Sequence, residues 1–329
     1  MKIFSIIPNL AGGGGRVLVD LVKSFQSFEN AVFYGQPIGG LVFGFHNELD
    51  SLGILHRHIP TQYELEKEIE VQKPDIVLYH WWPNAPYRKE KGTIPWIMII
   101  HSLMPAPQGY DFYVPVSKAC DLIQSHIPAV KRKIIYNGVD LEHFSTFRSE
   151  PHHHFIIGRV SHLYPMKIDV EYVDFLGGLD IPDWKAVIVG SGPMQNVLAQ
   201  RADELHLRER FEFPGALDHV HIVQQYRRFD LSLFLTRIPE NHPIAVLECM
   251  AMGIPVVTEP KGGLPEIITH NVNGFMSFYA HDWKRYCELI AKHPDLKERL
   301  SSGAIESAKK FDIKIQQAAY NDLLKKMVG

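Results

Sequence analysis

Cysteine is scarce: Cys120, Cys249 and Cys287 are odd in number and far apart in sequence, which argues against a disulfide framework and fits reduced thiols. An excess of one charge is also missing. With 34 Lys and Arg against 37 Asp and Glu, a formal net charge of −3 points neither to nucleic acid nor to strong bulk attraction to membranes. Long apolar runs are lacking as well. Residues 3–7 stop at Pro8, too short for a signal peptide, and residues 94–100 contain Pro95, far below the roughly 20 apolar residues of a membrane helix. The expectation is a soluble cytoplasmic protein without a transmembrane segment. Peripheral contact with anionic lipid through Lys131-Arg132-Lys133 or Arg88-Lys89-Glu90-Lys91 is the alternative to two solvated faces. No Asp-x-Asp follows an apolar strand, and His152–His154 and His219-Val220-His221 come without carboxylate or Cys partners at ligand spacing, so no metal is implied. No acidic residue ends the second strand-like run, where Phe33-Tyr34-Gly35-Gln36 stands, which disfavours a nicotinamide cofactor.

What is present is alternation. At 329 residues the chain suits two domains of roughly 150 residues each. Short β-branched or aromatic runs at 3–7, 31–34, 75–79, 96–100, 113–116 and 133–136 are separated by helix-like segments, the signature of a doubly wound parallel sheet. In the first of these segments Leu18, Leu21, Val22 and Phe25 share one helical stripe. A second series runs through 155–157, 186–189, 211–213, 231–235 and 255–257. Between the two series, residues 141–154 carry charge, Ser and His without an apolar period, which puts the boundary there. Domains over 1–147 and 148–311 follow. The final helix, from about 312 to 329, carries Tyr320, Leu323, Leu324 and Met327 on one stripe and is expected to pack back on the first domain.

The densest chemistry lies in residues 239–266, PENHPIAVLECMAMGIPVVTEPKGGLPE with its neighbours. Glu240 precedes Pro243, a residue suited to a first helical turn; the apolar run 244–252 reads as a buried helix that ends at Gly253. The helix N-terminus offers free N–H groups and the positive end of the macrodipole to an anion such as phosphate. Carboxylates nearby can hold sugar hydroxyls. A nucleotide sugar presents both kinds of group.

These features resemble the retaining glycosyltransferases of the large family four, a similarity carried along almost the whole chain by AGGGGRV, His101, PVSKAC, IIYNGVDLEHF, IGRVSHLYPMK, VGSGP and the 239–266 block in that order. The resemblance implies the GT-B fold, with two Rossmann-like domains whose parallel sheets face across a cleft. It implies transfer of a hexosyl group from a nucleoside diphosphate sugar, with UDP favoured, to a hydroxyl acceptor that is a glycan, a lipid-linked molecule or a small molecule, with no metal cofactor. Arg159 and Lys167 match the basic pair on the donor diphosphate. Glu240 matches the residue at the transferred sugar, Glu248 the one at the ribose, and His101 a histidine near the anomeric carbon. Gly13, Gly14, Gly15, Gly158, Gly192, Asn241, His242, Ile244, Gly262 and Gly263 complete the implied donor site. Many relatives have Gly-Phe-Gly after the first Glu, where this chain has Asn241-His242-Pro243. Pro243 offers no N–H, which leaves the sugar open. His80, Trp81 and Trp82 end a strand and form either an acceptor platform with His101 or part of the core. The rival readings are a nucleotide-sugar epimerase of the same architecture and a catalytically silent binding homologue.

Overall fold

The structure, a computed structural model, describes residues 1–10, 12–35, 45–83, 87–89, 92–145 and 153–329. It divides into two compact units, Met1–Gly138 with Ile313–Gly329, and Val139–Asp312. In the first unit the strands are β1 (Lys2–Ile7), β2 (Glu29–Tyr34), β3 (Leu55–His58), β4 (Ile76–Trp81), β5 (Trp96–Ile100) and β6 (Phe112–Pro115). They lie in the order β3-β2-β1-β4-β5-β6, every described pairing parallel. The second unit repeats the plan with β7 (Phe155–Val160), β8 (Trp184–Val189), β9 (Phe211–Gly215), β10 (Leu231–Phe234), β11 (Val256–Thr258) and β12 (Gly274–Met276), in the order β12-β11-β10-β7-β8-β9. Strands covered on both faces read as unbroken apolar runs. β4 and β5 are buried at every residue.

Strand order reverses between β1 and β4 in the first sheet and between β7 and β10 in the second. In such sheets the crevice outside the carboxyl ends of the two strands at the reversal is where ligands bind. Each unit therefore has one such place.

Three departures from the sequence reading have physical causes. Residues 133–136 are not a strand; Lys133 and Ile135 donate their N–H groups to Tyr113 and Pro115 along β6 at 3.1 and 3.2 Å. β3, Leu-His-Arg-His, is an edge strand with mostly exposed side chains, so it carries no apolar signal. The chain divides between Gly138 and Val139, whereas the expected boundary at 147/148 lies outside the described residues, as do Gln36, Glu90, Lys91 and His152. At position 138 a glycine is needed, because a Cβ there would stand 2.6 Å from the Cα of Ile313. Asp140 then accepts the N–H of His143 at 2.9 Å and starts the short helix Leu141–Ser145.

The last helix, Ile313–Val328, belongs to the first unit. Tyr320, Leu323 and Leu324 are buried, and Gln317 donates to the carbonyl of Asp20 in the helix Gly12–Ser24 at 3.2 Å. Leu324→Ala should cost about 2–5 kcal/mol of stability, as for other fully buried leucines, read from the urea unfolding midpoint. A cost below about 1 kcal/mol would mean that the helix is not held by this stripe.

Candidate functional site

In the second unit the reversal between β7 and β10 is closed by one side chain. Arg159, on β7, is fully buried. Its Nη1 donates to the carbonyl of Leu235, just past β10, its Nη2 to the carbonyl of Lys167 at 2.7 Å, and its Nε to Ser161 Oγ at 3.1 Å. The guanidinium carbon lies 5.3 Å from the Tyr172 ring centroid and 5.1 Å from that of Phe234, geometry that favours a desolvated cation. Burial pushes its pKa below the ordinary arginine value, offset by Tyr172, Glu240 and Glu259. This differs from the expectation of a guanidinium gripping a diphosphate. Here the fork spans two backbone carbonyls and fastens the 161–167 segment to the end of β10.

Glycines let other backbone cross that segment. Gly190 and Gly192 have φ of 134° and 150°, and a Cβ at either would meet the carbonyl oxygen of Ser161 at 1.9 Å or of Leu163 at 2.4 Å. Gly192 is thus accounted for by backbone packing. Gly158 is as well, since a Cβ there would strike the Phe229 ring at 1.9 Å.

The segment delivers Lys167, whose Nζ meets Glu240 Oε1 at 2.5 Å. Both side chains are partly exposed. Glu240 is fixed from the other side by the 261–263 loop: Gly263 donates its N–H to the Glu240 carbonyl at 2.7 Å, and Gly262, at φ 60°, would place a Cβ 2.1 Å from that oxygen. Lys261, just before the two glycines, pairs with Glu259 at 2.7 Å and donates to the Thr236 carbonyl at 3.1 Å. His162 is held below its ordinary pKa by burial first and then by Lys167, with Glu240 opposing. Sequence reasoning missed both Lys261 and His162. Their signals were present, one beside Gly262-Gly263 and the other between Arg159 and Lys167.

Pro243 is the N-cap of the helix Ile244–Ala251, one position earlier than the first-turn place expected of it. Gly253, at φ 70°, follows the helix end, as the apolar run predicts. Ile244 is buried at the first turn. His242 is buried with its ring 5.0 Å from that of Phe311, and burial pushes it down to about 3, so its imidazole is neutral core. Asn241 beside it is partly exposed. One turn along the helix from Ile244, Glu248 accepts a hydrogen bond from Tyr226 Oη at 2.6 Å. Among the described residues no group of three or more His, Cys, Asp or Glu side chains could hold a metal.

In the first unit Gly12, Gly13, Gly14 and Gly15 are not a loop before the first helix; they are its first turn. Gly15 is buried, and a Cβ there would come within 2.4 Å of the Leu10 carbonyl oxygen. Gly13 is exposed. Gly14 would put a Cβ 3.3 Å from Nε1 of Trp82, so the helix start and the residue after β4 meet at the β1/β4 reversal. His80, expected as an acceptor contact, is fully buried, and Trp81 is in the core. His80 Nδ1 lies 3.0 Å from Nε2 of His101, and burial holds both imidazoles below their ordinary pKa, His101 at about 4. Trp82, 42% exposed, stacks on His101 at 5.9 Å and 13°. Of His80, Trp81 and Trp82, the last alone is open to a ligand.

Two Rossmann-like units with these sheet orders constitute the GT-B architecture of glycosyltransferases. HepE from Anabaena, in a crystal structure with UDP-glucose, superposes with a TM-score of 0.84 over 99% of this chain and 100% of that one, at 20% identity. The glycosyl transferases group 1 family model matches residues 145–311, just over half of the chain, and the chain belongs to that family. An uncharacterized glycosyltransferase of Methanocaldococcus jannaschii is 29% identical over 255 residues, 64% of this chain and 65% of that protein. N-acetyl-alpha-D-glucosaminyl L-malate synthase of Bacillus anthracis is 34% identical over 94 residues, 29% of this chain and 24% of that enzyme. The chain thus spans less than two thirds of the length of either relative. Among the described residues no helix is long and apolar enough to cross a membrane.

The placement of Arg159 makes a stability prediction. Arg159→Ala leaves two carbonyls without their charged donor, which costs about 1–3 kcal/mol for each group left unsatisfied. Arg159→Lys should recover little, because one ammonium cannot reproduce the fork. Thermal unfolding checks this; parent-like melting of both variants would show that the strut carries no load.

Proposed function

We propose that this chain is a retaining hexosyltransferase that uses a nucleoside diphosphate sugar, with a UDP-sugar favoured, and needs no metal. The observation that carries the reading is the Lys167–Glu240 pair, 2.5 Å apart, held between the Arg159-anchored segment and the Gly262-Gly263 loop close in sequence to the start of the helix Ile244–Ala251. A cation, a carboxylate and a helix N-terminus are what a sugar joined to a diphosphate requires. HepE, whose fold this chain shares, was crystallised with UDP-glucose, which supports the choice of donor.

In this reading the acceptor oxygen attacks the anomeric carbon on the face from which the diphosphate leaves. The glycosidic C–O bond breaks with its electron pair passing to the β-phosphate oxygen, which takes the acceptor proton. Negative charge grows on that phosphate, so Lys167 exchanges its pairing with Glu240 for the phosphate, and prearranged N–H dipoles stabilise the transition state. Glu240 then accepts from the sugar hydroxyls and Glu248 from the ribose. Arg159 acts through Lys167, whose carbonyl it holds. In the first unit His101 orients the sugar or the acceptor, and the exposed Trp82 ring offers a face on which an apolar or sugar surface can stack.

Three measurements test this. Sugar transfer assayed in excess EDTA should keep its rate, since fixed protein charge neutralises the leaving group; loss of activity restored by Mn²⁺ or Mg²⁺ would overturn metal independence. Glu248→Ala should weaken calorimetric binding of free UDP by about tenfold or more, the worth of a hydrogen bond to a charged group. Glu240→Ala should not weaken UDP binding, because it removes no contact to the nucleotide and frees Lys167 for the diphosphate, while turnover falls. The reverse pattern would exchange the two roles. Isomerisation of the nucleotide sugar without an acceptor would instead identify an epimerase, and binding without turnover a silent homologue.

A further inference from the structure

Glu248 sits on the helix Ile244–Ala251 among residues that are nearly all buried, and it is itself only 6% exposed. A carboxylate removed from water to this degree needs hydrogen-bond donors, because an unsatisfied buried charge is costly. One donor is Tyr226, the last residue of the helix His219–Tyr226, whose hydroxyl reaches Glu248 Oε2 at 2.6 Å. Burial, and then the neighbouring Glu248, raise the phenol pKa well above its ordinary value, so the hydroxyl keeps its proton and can serve as a donor. The phenol is itself immobilised. Its ring is buried and meets those of Phe229 and Phe144 edge-on, with centroids at 5.5 Å and 71° and at 6.1 Å and 78°.

A carboxylate tied at one oxygen to a phenol that cannot turn has lost its freedom to swing. We infer that Tyr226 is a positioning residue for nucleotide recognition: it sets the Glu248 carboxylate in the orientation that accepts the donor's ribose hydroxyls, and thereby makes the site select ribonucleoside over dideoxyribonucleoside diphosphates. The inference rests on the proposed role of Glu248 at the ribose. Tyr226 makes no contact with the ligand in this scheme, and its contribution passes entirely through Glu248. Hydrogen bonds between charged and neutral partners lose strength steeply with misorientation, so releasing the carboxylate should be felt only by a ligand that carries the hydroxyls.

Calorimetry with UDP and with 2′,3′-dideoxyuridine diphosphate, on the full chain, tests this. The parent should favour UDP by at least about tenfold. Tyr226→Phe removes one oxygen and keeps the ring, so packing is preserved. It should lower UDP affinity several-fold, leave the dideoxy affinity within about twofold of the parent, and have no further effect in a Glu248→Ala background. Equal loss for both ligands, or a Tyr226→Phe effect that persists in the Glu248→Ala background, would reduce Tyr226 to a packing residue and overturn the inference while the role of Glu248 stands. Full discrimination retained in Tyr226→Phe would overturn it in the same way. A parent that binds both ligands equally would remove Glu248 from the ribose and the inference with it, and one that does not bind UDP would overturn the uridine donor on which both rest.

Discussion

The second unit depends on a buried cation bonded to backbone. Arg159 lies where the strand order of the sheet reverses, and its guanidinium bridges the carbonyls of Leu235 and Lys167. At a reversal, neighbouring strands send their connections to opposite sides, so a crevice opens between them. A bidentate, planar, permanently charged group can span such a gap with fixed geometry where an ammonium cannot. Aromatic faces of Tyr172 and Phe234 lie close to it. The same side chain therefore closes the base of the crevice and fixes the segment that brings Lys167 to its rim.

Around that strut the site is assembled from backbone that approaches backbone. Gly190 and Gly192 admit the carbonyls of Ser161 and Leu163, and Gly262 admits that of Glu240. In each case a Cβ would overlap an oxygen, so the side chain is missing for packing reasons and the φ values follow from the same constraint. The consequence is rigidity. Lys167 is held through its own carbonyl and Glu240 through its own carbonyl, which leaves the two side chains as the adaptable parts of an otherwise fixed frame. Such a frame confines reorganisation to the two side chains, since backbone already in place need not move as the bond breaks.

Much of this was legible in the sequence, for reasons that can be named. Buried parallel strands announce themselves as apolar runs, as residues 96–100 did to the residue, and a proline and a glycine bracket the helix Ile244–Ala251. The edge strand β3 escaped because Leu-His-Arg-His faces solvent, and β12 because three residues opening with glycine give no period. Side-chain destinations were harder to read. A motif can say that an arginine belongs at the end of β7, but whether its fork meets carbonyls or a ligand depends on Leu235, far away in the chain. His80 and Trp81 show the same limit. Their neighbour Trp82 is exposed while they are buried, a difference decided by where the strand ends, since β4 is buried at every residue and stops at Trp81.

Tyr226 marks where sequence reasoning stops and geometry takes over. Nothing in the spacing of residues 226 and 248 connects them, because one ends a helix before β10 and the other lies within the helix after it. Only the folded chain, which brings the last residue of one helix within hydrogen-bond reach of the other, joins the phenol to the carboxylate. The same logic applies to His101, whose Nε2 lies 3.0 Å from Nδ1 of the buried His80 and whose ring plane is within 13° of that of Trp82. In both units a polar group with an expected role in chemistry is backed by a buried partner that fixes its orientation. A hydrogen bond to a freely turning side chain forfeits part of its strength to the entropy of ordering it. Such backing removes that cost before any ligand arrives, which is how a shallow set of polar contacts can be made to discriminate between closely similar molecules.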